Sequence, residues 1–190
     1  MEKRIGTFYG VSVGPGDPEL MTLQAVRRLE SCPVIAAPQT PKGGMLALDI
    51  AKGAVDLSGK TILPLRFAMS LDPAVQKAAH IEAARAVKEY LDAGQDVAML
   101  NLGDLSVYAT FGYLQEILEA EGYKTVMLPG VTSFCAAAAR LGQSLTGGME
   151  QPLTIAPGRC AAEVLAAPGA KVLMKSGRQL HETLAALADA

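Results

Sequence analysis

The stretch VAMLNLGDLSVYAT (97–110) decides the fold class. Its first half, VAMLNL (97–102), is apolar along its length and has no alternating polar face. A run of that kind suits a strand covered on both sides, as in a parallel sheet flanked by helices. Its second half turns at Gly103 and Asp104 and leads into a helical run over 107–120, which stops at Gly122.

The same alternation extends outward. Toward the N-terminus, IGTFYGVSV (5–13) reads as a buried strand, followed by the turn GPGDPE (14–19). Asp17 is suited to cap a helix there, with Pro18 at its first position, where a missing N–H costs nothing. That helix is expected to run to about Glu30, with Leu20, Leu23, Val26 and Leu29 near helical spacing. PVIAAP (33–38) and TILPL (61–65) read as strands around a weaker helix over 45–52. A stronger helix covers 73–92, with Val75, Ala79, Ile81, Ala84, Val87 and Leu91 along its apolar side and Gly94 as its stop. Toward the C-terminus come a strand TVMLP (125–129), a small-residue helix over 133–141 and a Gly-rich linker GQSLTGGMEQ (142–151). LTIAP and KVLM follow as strands separated by a helix at 160–167, and a last helix covers 178–189. The architecture is α/β with crossover helices.

Composition narrows the function classes. The chain has 190 residues, 50% hydrophobic and 19% charged, with a formal net charge of -2. That balance is far from the basic signature of a nucleic-acid binder. No apolar stretch reaches the roughly 20 residues needed to span a bilayer. The N-terminus carries no secretory signal pattern, so a cytoplasmic location is expected. Cys32, Cys135 and Cys160 lie far apart with no CxxC pair, which argues against a disulfide framework or structural zinc and for buried reduced thiols. His80 and His181 offer no metal-ligand cluster and read as surface histidines, so no metal is expected.

Four turns stand where a strand hands over to a helix, the place where open α/β sheets bind ligands. In GPGDPE the third glycine of a dinucleotide fingerprint is Glu19, and Pro15 and Pro18 remove N–H groups that could bind phosphate. The turn is a poor phosphate cradle and could suit a ligand with a positive centre; a plain capped turn accounts for it equally well. In GDLSVYAT (103–110), Asp104 is placed either to accept from a ribose or amine or to cap the next helix. In PGVTS (129–133), Thr132 and Ser133 cap a helix or bind a ligand at its positive end. In MKSGR (174–178), Met174 ends a strand at a basic turn and is equally an ordinary core residue.

Singly these motifs are weak, but their order and spacing are specific. GVSVGPGDPELMTLQAV (10–26), NLGDLSVYAT (101–110) and PGVTSFCAAAARLGQSL (129–145) resemble the tetrapyrrole methylase family over nearly the whole chain. Within it, YATFGYL (108–114) and VLMKSGR (172–178) are most similar to enzymes that methylate carbon 20 of precorrin-2 or its cobalt-bearing counterpart in cobalamin biosynthesis. The resemblance implies two α/β domains, 1–128 and 129–190, with a cofactor cleft between them, in a homodimer. It implies S-adenosylmethionine as cofactor and a tetrapyrrole as substrate.

Carried over by position, Gly103, Asp104, Val107 and Tyr108 would hold the methionine end of the cofactor. Thr132 and Ser133 would add hydrogen bonds, Met174 would pack by the adenine, and Tyr9 and Gly10 would line the same pocket. The GPGDPE turn would face the tetrapyrrole, making Asp17 the candidate proton acceptor. Arg66, Lys175, Arg178 and Lys42 are candidates for the substrate's carboxylates, against the plain reading as solvated surface charge. Leu105 departs from the family's Gly-Asp-Pro turn, and the second domain is expected to be incomplete. The alternatives are another tetrapyrrole or diphthamide methylase, a truncated ligand-binding module without turnover, or a generic nucleotide-binding domain.

Overall fold

The computed structural model describes residues 4–70, 72–177 and 180–188. The chain divides into two compact units, Met1–Ser133 and Phe134–Ala190.

The first unit is a five-stranded parallel sheet with helices on both faces. Its strands are β1 (Phe8–Ser12), β2 (Val34–Gln39), β3 (Thr61–Arg66), β4 (Val97–Asn101) and β5 (Thr125–Leu128), in the spatial order β3-β2-β4-β1-β5. The helices are α1 (Leu23–Ser31), α2 (Leu46–Ala54), α3 (Pro73–Asp92) and α4 (Phe111–Ala120). The central strand β4 is buried at every position, as its unbroken apolar run requires.

Alternation along the strands sorts the core into two layers. Val11, Val13, Ile35, Ala37, Ala98 and Leu100 meet α1 and α2 on one face. Phe8, Val34, Ala36, Val97 and Met99 meet α3 and α4 on the other. Leu29 of α1, Leu91 of α3 and Leu114 of α4 are fully buried, each contributing about 1.5–3 kcal/mol of apolar transfer. The Phe8 and Phe111 rings stack at 4.9 Å between β1 and α4. That stack needs Gly10, because a Cβ there would lie 2.7 Å from the Phe111 ring.

Two helix starts differ from expectation. Residues 18–20 form only a single 3-10 turn, capped by Asp17, and the α-helix begins at Leu23 under a separate cap, Thr22. Met21 is extended and turns inward to join the core, which breaks the helix into two pieces. The helix expected from residue 107 begins at Phe111 instead. Tyr108 has φ 50, a left-handed conformation that no α-helix can include.

The second unit is a smaller βαβ arrangement. β6 (Leu153–Pro157) and β7 (Ala170–Met174) pair in parallel around a 3-10 turn and α6 (Ala161–Leu165), with α5 (Ser133–Arg140) before them and α7 (Leu180–Ala188) after. Among the described residues no helix is long and apolar enough to cross a membrane, and no cluster of His, Cys, Asp or Glu could hold a metal ion.

The thiols are not all buried, as the sequence suggests they should be: Cys32 is buried, Cys160 half-buried and Cys135 exposed. Burial pushes the Cys32 thiol up to about 11, against the nearby Arg28 charge that favours ionisation. The unfolded thiol therefore loses its proton near pH 9 while the folded one keeps it, so stability should fall between pH 9 and about 11. At neutral pH, iodoacetamide followed by peptide mass mapping should modify Cys135 rapidly and Cys32 only in denaturant.

Candidate functional site

The crossover pattern creates the site. The connection leaving β1 carries α1 to one face of the sheet, and the connection leaving β4 carries α4 to the other. β1 and β4 are neighbours, so the chain parts at their carboxyl ends, the topological switch point where such sheets bind ligands.

Three of the glycine-rich turns converge there and are tied together. Val13 N–H donates to the Asn101 carbonyl (2.9 Å), and Gly103 N–H donates to the Gly14 carbonyl (2.8 Å). Gly14 and Gly103 form an isolated bridge, both with positive φ (73 and 71) that suits glycine. Asp104 is the knot between the second and third turns. Its Oδ1 accepts from the Ser106 N–H (2.8 Å) and from the Ser106 hydroxyl, and its Oδ2 accepts from Gly130 N–H at 2.7 Å. Partial burial works against the charge, but these three donors outweigh it and hold the carboxyl below its ordinary range.

Neither sequence reading of Asp104 anticipates this. It does not cap α4, whose N-cap is Thr110, with no side-chain hydrogen bond. It spends its oxygens on loop geometry. Gly130 approaches so closely that a Cβ would lie 2.3 Å from the Ser12 Cβ and 2.8 Å from the Gly103 carbonyl oxygen. Leu105, at the position the family fills with proline, has two uses. Its side chain is buried against α3 and α4, and its N–H, which proline would lack, donates to Ser12 Oγ at 3.2 Å. Ser12, a buried polar residue that an apolar strand does not advertise, is the contact that sequence reasoning missed. Its signal is the break in apolar pattern just before the first glycine turn.

Beside this knot, Thr132 Oγ1 is buried without a hydrogen-bond partner among the described residues. A buried hydroxyl left unsatisfied costs about 1–3 kcal/mol, so it points to a ligand group that would pair with it. The ground over Gly103 is open, with no atom within 4 Å of where a Cβ would stand. Tyr108 is 44% exposed on the same loop.

The other predicted residues are placed differently. Tyr9 and Gly10 lie inside β1, about 10 Å and 7 Å back from Ser12 along the strand. Tyr9 packs on the α1 side with the Arg28 guanidinium 3.9 Å from its ring centroid, and the Phe111 ring fills the space at Gly10. The structure therefore does not bring these two to the turn cluster. Asp17 is exposed, and its Oδ1 accepts from Glu19 N–H at 3.0 Å. Arg66 ends β3 on the surface, where its Nε donates to Gln39 Oε1 at 3.1 Å; Lys42 is exposed in the loop after β2. In the second unit, Met174 is half-buried at the end of β7, and Lys175 is exposed with φ 59. Arg178 lies outside the described residues. An open cavity of about 450 Å³ beside α1 is lined by Leu23, Gln24, Arg27, Arg28, Ser31 and Leu128, two of them cations the sequence reading did not select.

A parallel α/β sheet whose turns are knotted at the switch point, with an orphaned hydroxyl beside the knot, defines a ligand-binding α/β domain. The chain matches the family described as Tetrapyrrole (Corrin/Porphyrin) Methylases over residues 7–190, and it belongs to that family. It is similar to the cobalamin biosynthesis protein CobIJ of Mycobacterium tuberculosis, with 33% identity over 96% of the chain; it spans only 38% of that protein's length. It is 34% identical to the cobalt-precorrin-2 C(20)-methyltransferase of Salmonella typhimurium, covering 94% of the chain and 71% of the relative. For the precorrin-2 C(20)-methyltransferase of a Sinorhizobium species the values are 32%, 97% and 79%. Solved structures share the fold. The cobalt precorrin-4 methyltransferase CbiF superposes with a TM-score of 0.69 at 18% identity, over 97% of this chain and 74% of that one. A Thermus thermophilus uroporphyrin-III C-methyltransferase in complex with S-adenosylhomocysteine superposes with a TM-score of 0.63 at 24% identity, over 96% and 72%.

Proposed function

We propose that this chain is an S-adenosylmethionine-dependent methyltransferase that methylates carbon 20 of precorrin-2 or its cobalt-bearing counterpart in cobalamin biosynthesis. The observation that carries the reading is the knotted turn cluster with the unpaired Thr132 hydroxyl beside it. C(20)-methyltransferases of which the chain covers more than two thirds support the choice of substrate and carbon.

The residues fit the cofactor. Thr132 has an unused polar atom and the ground over Gly103 is open, so these residues, with Asp104, Val107, Tyr108 and Ser133, would hold it. Met174 beside the adenine rests on the resemblance alone. When bound, S-adenosylmethionine supplies an electrophilic methyl carbon on sulfonium. The chain's own tasks are then to align the substrate carbon with that methyl group, which is worth most of the acceleration in such a reaction, and to accept a proton afterwards. Asp17 would accept the proton. Arg66, Lys175 and Arg178 would meet the substrate's carboxylates. A homodimer working in the cytoplasm completes the proposal.

The reading is tested by anaerobic incubation of the chain with S-adenosylmethionine and cobalt-precorrin-2, followed by mass spectrometry. A single added methyl group located at carbon 20 is the expected product. Saturable binding of S-adenosylhomocysteine without any methylated product would instead assign a ligand-binding module. Asp17→Asn preserves the cap, because Asn serves that position as well as Asp. It should lower kcat about a hundredfold while leaving S-adenosylhomocysteine affinity unchanged, as loss of a general base does. Equal losses in both would make Asp17 a structural residue.

A further inference from the structure

A row of three rings crosses from the β3–α3 connection to α4. Phe67 follows the last residue of β3 and is half-buried against the α3–α4 core. Its ring meets His80 of α3 at 5.9 Å, tilted by 54°. His80 in turn stacks flat on Tyr113 of α4, with centroids 4.4 Å apart and planes 9° from parallel. Tyr113 is nonetheless 54% exposed. One face lies on His80, so the exposure belongs to the opposite face and the ring edge.

The ordinary reading of such a row is helix-to-helix packing. Two observations go beyond it. Packing would be served by a buried outer ring, yet the row ends on an open aromatic face in the first turn of α4. Next to it, Gly112 has nothing within 4 Å of a would-be Cβ. Met69, on the connection that carries Phe67, is 79% exposed. Burial keeps the His80 imidazole below its ordinary range, which favours a neutral ring and an uncharged stack.

We propose that Tyr113, backed by His80 and Phe67, is a stacking subsite for one pyrrole-derived ring of the tetrapyrrole substrate. Offset stacking of a flat π-system on an aromatic face is favourable beyond the area it buries. His80 fixes the tyrosine ring, so little freedom is lost when a ligand lies on it. Tyr113 is thus a residue that binds and orients substrate, with His80 and Phe67 as positioning residues. This inference rests on the C-methylation reading above.

The test is titration calorimetry of the whole chain, with cobalt-precorrin-2 under anaerobic conditions and separately with S-adenosylhomocysteine. Tyr113→Leu keeps an apolar side chain on an exposed helix face but removes the ring. It should raise the Kd for cobalt-precorrin-2 about tenfold, and Tyr113→Phe should stay within about twofold of the parent chain. S-adenosylhomocysteine affinity should be unchanged in both variants. An unchanged Kd for cobalt-precorrin-2 in Tyr113→Leu overturns the subsite and leaves the methyltransferase reading standing. Equal weakening of both ligands makes the row structural and also overturns it. A parent chain that binds S-adenosylhomocysteine but not cobalt-precorrin-2 overturns the subsite and the substrate assignment together.

Discussion

Asp104→Ala is expected to raise the dissociation constant for S-adenosylhomocysteine about a hundredfold, although most of that loss is indirect. The carboxylate accepts from Ser106 N–H, Ser106 hydroxyl and Gly130 N–H, so it joins the loop after β4 to the loop after β5. Alanine removes all three bonds and leaves the half-buried Gly130 N–H without its acceptor. Bonds to a charged group contribute about 1.5–3 kcal/mol each, so the turn pair loses its preferred arrangement by a few kcal/mol. Ligand binding must then re-form it, and about 2.7 kcal/mol of re-forming corresponds to a factor of a hundred. Asp104→Asn separates the clamp from a direct contact. It keeps an oxygen for one loop and loses the charge, so an intermediate effect of about tenfold follows from the clamp. Calorimetric titration of the three proteins measures this directly. Full-strength binding by Asp104→Ala would show that the loops hold their places without the carboxylate.

Gly130→Ala should have the second large effect, through stability. The added methyl would lie 2.3 Å from Ser12 Cβ and 2.8 Å from the Gly103 carbonyl oxygen, a short side chain and a backbone atom. Neither can swing aside as a flexible chain end could. The third turn must move off the first two, lengthening the 2.7 Å bond from Gly130 N–H to Asp104. Overpacking of this kind costs about 1–3 kcal/mol, and the strained hydrogen bond adds to it. Thermal unfolding should show a drop of roughly 2–4 °C for each kcal/mol lost. Gly112→Ala is the matched control, because a Cβ there meets nothing within 4 Å. In a helix that exchange gains up to about 1 kcal/mol, so its melting temperature should hold or rise. Equal melting temperatures for the two variants would mean that the turn at Gly130 yields without resistance.

The strands were the easiest part to read. VAMLNL and IGTFYGVSV are apolar on both faces because helices cover both, and such runs identify themselves without any partner. Helix starts were harder. Residues 107–110 carry a helix-compatible pattern, and only the left-handed Tyr108 delays α4 to Phe111. Residues 18–22 likewise look like a first helical turn, yet Met21 leaves the helix to join the core beside Leu29 and Leu48. At Met21 that core contact overrides a local preference worth only a few tenths of a kcal/mol per residue.

The site was legible in its parts and hidden in its wiring. Gly103, Asp104, Thr132 and Gly130 stand out as strand-to-helix turns by composition alone. Their assembly does not, because Asp104 bonds Gly130 at 26 positions' distance and Leu105 bonds Ser12 at 93. Tyr9 and Gly10 show the reverse situation. They lie next to the right turn in sequence, but strand geometry aims one at α1 and the other at Phe111. The amino-acid sequence by itself determined the α/β class, the strand and helix order and the family, since these depend on periodicity and on motif order along the chain. The tertiary structure alone decided that Asp104 ties two loops, that Thr132 keeps an unpaired hydroxyl and that Tyr113 is held flat on His80. Each of those depends on which strands become neighbours, and sheet order brings β1 between β4 and β5 through packing of residues far apart in the chain.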